Sequence, residues 1–153
     1  MIELLKNDCL KTPFWVYSRL GRIDLDPCAG VETKIGRANF RLEDGNDGLF
    51  EKWSGFVFCN PPFSKKEMWI EKMKAYGAGI LLLPERGSTP WHGPCAESCG
   101  YHFTMGKKIN FEGGSSSNPT GSTLFLFGNE AKDRIISSGL PGTLNKVIKF
   151  TSR

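Results

Sequence analysis

Four consecutive residues, Asn60-Pro61-Pro62-Phe63, carry the most specific chemistry in this chain of 153 residues. Asn60 has a side-chain carbonyl that accepts a hydrogen bond from an amino group. Pro61 and Pro62 lack an N–H, so the backbone presents acceptors there without a competing donor. Phe63 offers a flat apolar face against which a planar ring can stack. Two acceptors beside an aromatic plate describe a pocket for a planar ring bearing an exocyclic NH₂.

The elements around this tetrapeptide are those of an α/β sheet. Gly55 to Cys59 is a continuous apolar run, the pattern of a strand buried on both faces. The tetrapeptide ends that strand, and in open α/β sheets ligands bind in the crevice beyond the strands' carboxyl ends. Ser64 and Glu67 have the spacing of a capping box. Trp69, Met73 and Tyr76 then fall on one helix face, closed by Gly77. Ile80 to Leu83 is a second buried strand, ended by Pro84.

Upstream, Thr12 reads as an N-cap with Pro13 at the first helical position, and Gly21 stops that short helix. Arg22 to Asp26 alternates like a strand, and a weaker strand is expected near Asn39 to Leu42. Downstream, strands are expected at Lys107–Phe111, Ser122–Phe127 and Leu144–Phe150, with a helix around Glu130–Ser137. Gly113 to Asn118 reads as a flexible loop. The expected fold is α/β: a mostly parallel central sheet with an antiparallel C-terminal edge and helices on both faces.

Composition narrows the setting. Hydrophobic residues make up 39% and charged residues 24%, ordinary values for a soluble globular chain, and the length suits one domain over residues 1–153. The net charge of +4 permits a polyanionic partner without demanding one. No apolar run approaches the ~18 residues needed to span a bilayer. Met1 to Lys11 lacks the apolar core of a signal peptide, and five cysteines are an odd number, so reduced thiols and a cytoplasmic setting are expected.

His92, Cys95, Cys99 and His102 have side chains that suit zinc. Their spacing follows no common finger pattern, and no metal is expected. Lys65, Lys66, Arg86, Lys107 and Lys108 are candidates for contact with nucleic-acid phosphates, which is sequence-independent and salt-sensitive.

The tetrapeptide, with its strand before and helix after, resembles the catalytic motif of S-adenosylmethionine-dependent amino-methyltransferases. Further segments resemble, in the same order, the small phage DNA N6-adenine methyltransferase family. These are Thr12-Pro13, Ile23 to Ala29, Asp47-Gly48-Leu49 with Trp53 and Gly55, Leu82-Leu83-Pro84, Trp91-His92, Gly106 to Phe111 and Leu124 to Gly128.

The resemblance implies a Rossmann-like methyltransferase fold with no separate target-recognition domain. It implies methyl transfer from S-adenosylmethionine to adenine N6 in DNA, with the base flipped out of the stack onto Phe63. Asn60 and the Pro61 carbonyl would hold the amino group. By the same resemblance Asp26, Pro27, Cys28 and Ala29 line the cofactor's methionine end, Thr12 and Pro13 lie over it, and Asp47 accepts from the cofactor's adenine. Glu43 and Asp44 are the alternatives for contact with the cofactor's ribose hydroxyls, and the ribose-contacting acid stays open between them. DNA is the expected partner, no membrane is expected, and homo-oligomerisation stays open. A phage-encoded chain would work in the host cytoplasm. The same pocket chemistry also suits cytosine N4, an RNA base or a glutamine side chain, and an inactive cofactor- or nucleic-acid-binding relative would keep the same fold.

Overall fold

The computed structural model describes residues 11–111 and 120–150. The first half carries α1 (Phe14–Tyr17), β1 (Leu25–Asp26), β2 (Ala38–Asn39), β3 (Val57–Cys59) and α2 (Lys66–Tyr76). The second half carries β4 (Gly79–Pro84), α3 (His92–Cys99), β5 (Tyr101–Met105), β6 (Ser122–Phe127), α4 (Asn129–Ser138) and β7 (Gly142–Lys146). Short 3-10 turns sit at Ser18–Leu20, Leu42–Asp44 and Phe63–Lys65.

All strands among the described residues join one seven-stranded sheet in the order β2-β1-β3-β4-β6-β5-β7. The block β2-β1-β3-β4 is parallel, and β6 runs antiparallel to β4 over the full register from Gly79 opposite Phe127 to Pro84 opposite Ser122. Since β5 is antiparallel to β6, it points the same way as the parallel block, and β7 closes the edge antiparallel to it. This is the Rossmann-like arrangement expected, with a parallel core and an antiparallel C-terminal edge.

Alternation along the central strands splits the core in two. Phe58, Ile80, Leu82, Leu124 and Leu126 face one side, where Val16 and Leu20 from the first helical segment and Ala131 and Ile135 of α4 cover them. Val57, Cys59, Leu81, Leu83, Phe125 and Phe127 face the other, under Trp69, Ile70 and Met73 of α2 and Cys95 and Ala96 of α3. Both faces are sealed by helices, which is why these strands read as unbroken apolar runs. The crossover from β1 to β2 is a helix-free connection over residues 27–37, shorter than the helical link usual between parallel strands.

Several local expectations change. Thr12 does not cap α1: the N-cap is Pro13, with no side-chain cap bond, and the Thr12 hydroxyl is committed elsewhere. The Ser64–Glu67 box is likewise not formed. The chain leaves Pro62 in a 3-10 turn, with Lys65 N–H bonded to Pro62 O at 3.1 Å, so the helix starts at Lys66 and Glu67 pairs with Lys66 instead. The far end of that helix is as expected: Gly77, at φ +83°, returns its N–H to Met73 O at 2.8 Å.

The strand expected at Lys107–Phe111 lies earlier, at Tyr101–Met105, while Ile109 is driven fully into the core from irregular chain. The last strand ends at Lys146, and Ile148 and Phe150 beyond it are exposed. The first strand is confined to Leu25–Asp26 and the weak second one to Ala38–Asn39. The Gly113–Asn118 loop lies outside the described residues.

Candidate active site

The parallel strands β1, β2, β3 and β4 end at Asp26, Asn39, Cys59 and Pro84, and the chain beyond these ends converges on one rim of the sheet. There a cavity of about 210 Å³ opens, lined on one side by Pro27, Cys28 and Ala29 and on the other by Glu43, Asp47 and Leu49. Its third wall is Asn60, Pro62, Lys65 and Trp69. The walls lie close because Gly48 is pressed on the turn after β1: a Cβ there would stand 1.8 Å from Pro27 O. Trp53 fixes the same spot, its indole N–H donating to Gly48 O at 2.8 Å.

Asn60 is held from behind. Its Nδ2 donates to Thr12 Oγ1 at 3.1 Å, and Thr12 is only 5% exposed. With Nδ2 turned to Thr12, the side-chain oxygen is the opposite pole of the amide and is an acceptor by its chemistry.

Asp26 ends β1 almost fully buried, its Oδ1 accepting the Cys28 N–H at 3.1 Å. Burial raises its carboxyl to about 7, and the Cys28 N–H and Arg41 offset only part of that shift. Asp47 closes an Asx turn, Oδ1 accepting Leu49 N–H at 3.0 Å, while also lining the cavity. The turn and the place in the cavity wall are thus compatible.

Phe63 sits at the rim, 36% exposed, edge-to-face with Trp91 at 6.0 Å between centroids. Lys66 Nζ lies 4.4 Å from the Phe63 centroid and the Arg86 guanidinium 5.7 Å from it. Behind Trp91, His92 is in ring contact with both Trp91 and Phe125. His92 Nε2 stands 3.4 Å from Glu85, which also accepts the Thr123 hydroxyl. Burial is the main influence on His92 and holds it below the usual histidine range against the pull of Glu85, so at neutral pH this contact is that of an uncharged imidazole.

A family model described as DNA N-6-adenine-methyltransferase (Dam) matches residues 3–141. That span contains the Asp26 turn, the Asn60–Phe63 bend and the Phe63–Trp91 rim. The chain belongs to the Dam family. It is therefore a DNA N6-adenine methyltransferase by family. No curated protein and no solved structure matches it.

In this Dam-family fold most of the sequence-selected residues divide into three groups, with Lys107 and Lys108 outside them. Pro27, Cys28, Ala29, Asp47, Asn60 and Pro62 share the cavity, and so does Lys65, which the charge pattern had grouped with the phosphate contacts. Thr12, Pro13, Asp26 and Pro61 are buried. Phe63, Lys66 and Arg86 cluster at the rim, whereas Lys107 lies over Trp15, its Nζ 5.1 Å from that ring, and Lys108 is exposed. Of the two acids considered on sequence grounds for ribose contact, Glu43 lines the cavity and Asp44 pairs with Arg41 at 3.7 Å.

Trp91 enters the resemblance above without a role, although a tryptophan in the segment following Pro84 stands beyond a parallel strand's carboxyl end, a position that signals it. Lys11, Phe40 and Trp69 also line the cavity. Among the described residues no group of three or more His, Cys, Asp and Glu is arranged to hold a metal. Cys95 packs in the core, and Cys99 Sγ donates to Tyr101 O at 3.1 Å. Burial pushes both thiols up, Cys99 to about 11, away from the thiolate that zinc requires.

Proposed function

We propose that the chain methylates adenine N6 in DNA using S-adenosylmethionine, with the target base flipped out of the helix and held between Asn60 and Phe63. The observation that carries this reading is Asn60: anchored by Thr12, it lines the same cavity as the Pro27–Ala29 turn. An acceptor for an amino group and a cofactor-sized crevice thereby share a wall.

The residues present fit the cofactor. Glu43 suits ribose hydroxyls, Asp47 an adenine amino group, and the half-buried Cys28–Ala29 turn a methionine chain, while Lys11 and Lys65 supply cations for its carboxylate. Lys65 then serves the cofactor rather than DNA. Once bound, the cofactor supplies an electrophilic methyl group on a sulfonium.

The protein's own part is positioning and polarisation. Adenine's amino lone pair is delocalised into the ring, which makes the nitrogen a poor nucleophile. Hydrogen bonds from its two N–H groups to the Asn60 side-chain oxygen and the Pro61 carbonyl favour a more tetrahedral nitrogen and localise that pair. Phe63 holds the ring plane so that the pair points into the cavity. Fixed geometry and preorganised acceptors supply the acceleration. A base inside a duplex cannot reach this bend, so it must leave the stack. In this reading Lys66, Arg86, Lys107 and Lys108 meet the phosphates of the bound DNA.

The test is to incubate the purified chain with methyl-labelled S-adenosylmethionine and equal masses of unmethylated DNA, RNA and unrelated protein. Label confined to DNA, recovered as N6-methyladenine, is expected. Label on RNA, on protein glutamine or on cytosine N4 contradicts it.

A further inference from the structure

Phe63 is the plate on which the proposed function stacks the target base, yet in the free protein that plate already has an occupant. Lys66 Nζ lies 4.4 Å from the Phe63 centroid and 5.8 Å from that of Trp91, while the two rings meet at an interplanar angle of 72°. The ammonium thus sits in the inner angle of an aromatic corner. The Lys66 side chain is only 15% exposed and is steadied by Glu67 Oε1 at 3.0 Å.

This position is electrostatically unfavourable in one respect. Lys66 begins α2, and the first turn of a helix carries partial positive charge that favours anions over cations. An anion arriving at that end would gain from both the helix and the lysine. A nucleotide brings both things the corner lacks, a planar ring for Phe63 and a phosphate for the ammonium.

We propose that Phe63 and Trp91 are the two walls of the target-base slot and that Lys66 is its placeholder, leaving the slot for a flanking phosphate when the base comes in. The inference rests on the proposed function and adds to it a second wall and an exchange step. The lysine keeps the apolar corner covered between turnovers, and its displacement couples base capture to a backbone contact. Arg86, over the same Phe63 ring, stays as a second cation.

The exchange predicts effects of opposite sign. The probes are single-stranded heptamers with one central adenine, one carrying natural phosphates and the other neutral methylphosphonates on both sides of the adenine. Binding is measured by calorimetry on the full chain saturated with S-adenosylhomocysteine, so that adenine cannot take the cofactor's place. Lys66→Met should bind the neutral-flank heptamer about two- to fivefold tighter than wild type, the value of removing a competing cation–π contact. It should bind the natural heptamer more weakly. Trp91→Ala should weaken both probes about tenfold or more, with Trp91→Phe recovering most of the loss and S-adenosylhomocysteine binding unchanged.

If Lys66→Met weakens both heptamers alike, or alters neither, Lys66 does not occupy the slot and the inference is overturned. Unchanged heptamer binding in Trp91→Ala removes Trp91 as a wall. Both readouts are binding without turnover, so their failure leaves methyl transfer to adenine untouched. Conversely, loss of the methyl-transfer reading would show in the label experiment above.

Discussion

Asn60 Nδ2 and Thr12 Oγ1 lie 3.1 Å apart across 48 positions of sequence. The contact joins the bend after β3 to the chain just before α1, and it fixes which end of the Asn60 amide faces Thr12. Removing the Thr12 hydroxyl while keeping its shape should let that amide rotate. Thr12→Val is expected to lower kcat about three- to tenfold, the value of one ordinary hydrogen bond. Thr12→Ser should restore most of it. Single-turnover rates of the two variants check this.

Asp26 predicts a pH effect of defined sign. Burial holds its carboxyl up to about 7. From the ordinary carboxylate pKa to about 7, the folded chain keeps a proton that the unfolded chain has released. Folded stability therefore falls as pH rises through that interval and levels off above it. Asp26→Asn removes this loss, so its stability should gain on wild type between pH 5 and pH 8, by on the order of a few kcal/mol at most, read as a relative rise in melting temperature. Thermal melts across that range test it; curves that stay parallel would contradict it.

Gly48 has no room for a side chain, since a Cβ would stand 1.8 Å from Pro27 O. Gly48→Ala must push the Asp47–Leu49 segment off the turn after β1. A cost of about 1–3 kcal/mol is expected, as for other overpacked sites, together with cofactor binding weakened tenfold or more. Melting and calorimetric titration with S-adenosylhomocysteine measure the two effects separately.

Lys65 and Lys108 should separate cofactor from DNA. Both side chains are exposed, but Lys65 lines the cavity and Lys108 does not. Lys65→Met is expected to weaken S-adenosylmethionine binding by about 1.5–3 kcal/mol, as loss of a charge-assisted hydrogen bond would, without changing the salt dependence of DNA binding. Lys108→Met should do the reverse, reducing the slope of log affinity against log salt by about one. Titrations of both ligands at several salt concentrations decide the assignment.

The central strands were legible because both of their faces are buried, so β3, β4 and β6 announce themselves as apolar runs. The Asn60–Phe63 bend was legible for a related reason: prolines end β3 where an open sheet binds ligands. β5 was not, because His102 and Thr104 alternate with Phe103 and Met105, and neither looks apolar although His102 packs on Phe125. The Thr12–Asn60 bond is a long-range contact that no local spacing encodes. Lys65 and Lys66 are adjacent in sequence, yet the change from 3-10 turn to α-helix between them sends one to the cavity and the other to the aromatic corner.

The most direct test compares wild type with Asn60→Ala on unmethylated DNA and S-adenosylmethionine, reading modified adenines strand by strand. Wild type should deposit N6-methyladenine, and the variant should do so at a rate about 10²–10³-fold lower, as when a preorganised polar group at a reacting centre is lost. S-adenosylhomocysteine should bind both proteins alike. Undiminished N6-methyladenine from Asn60→Ala would contradict the account.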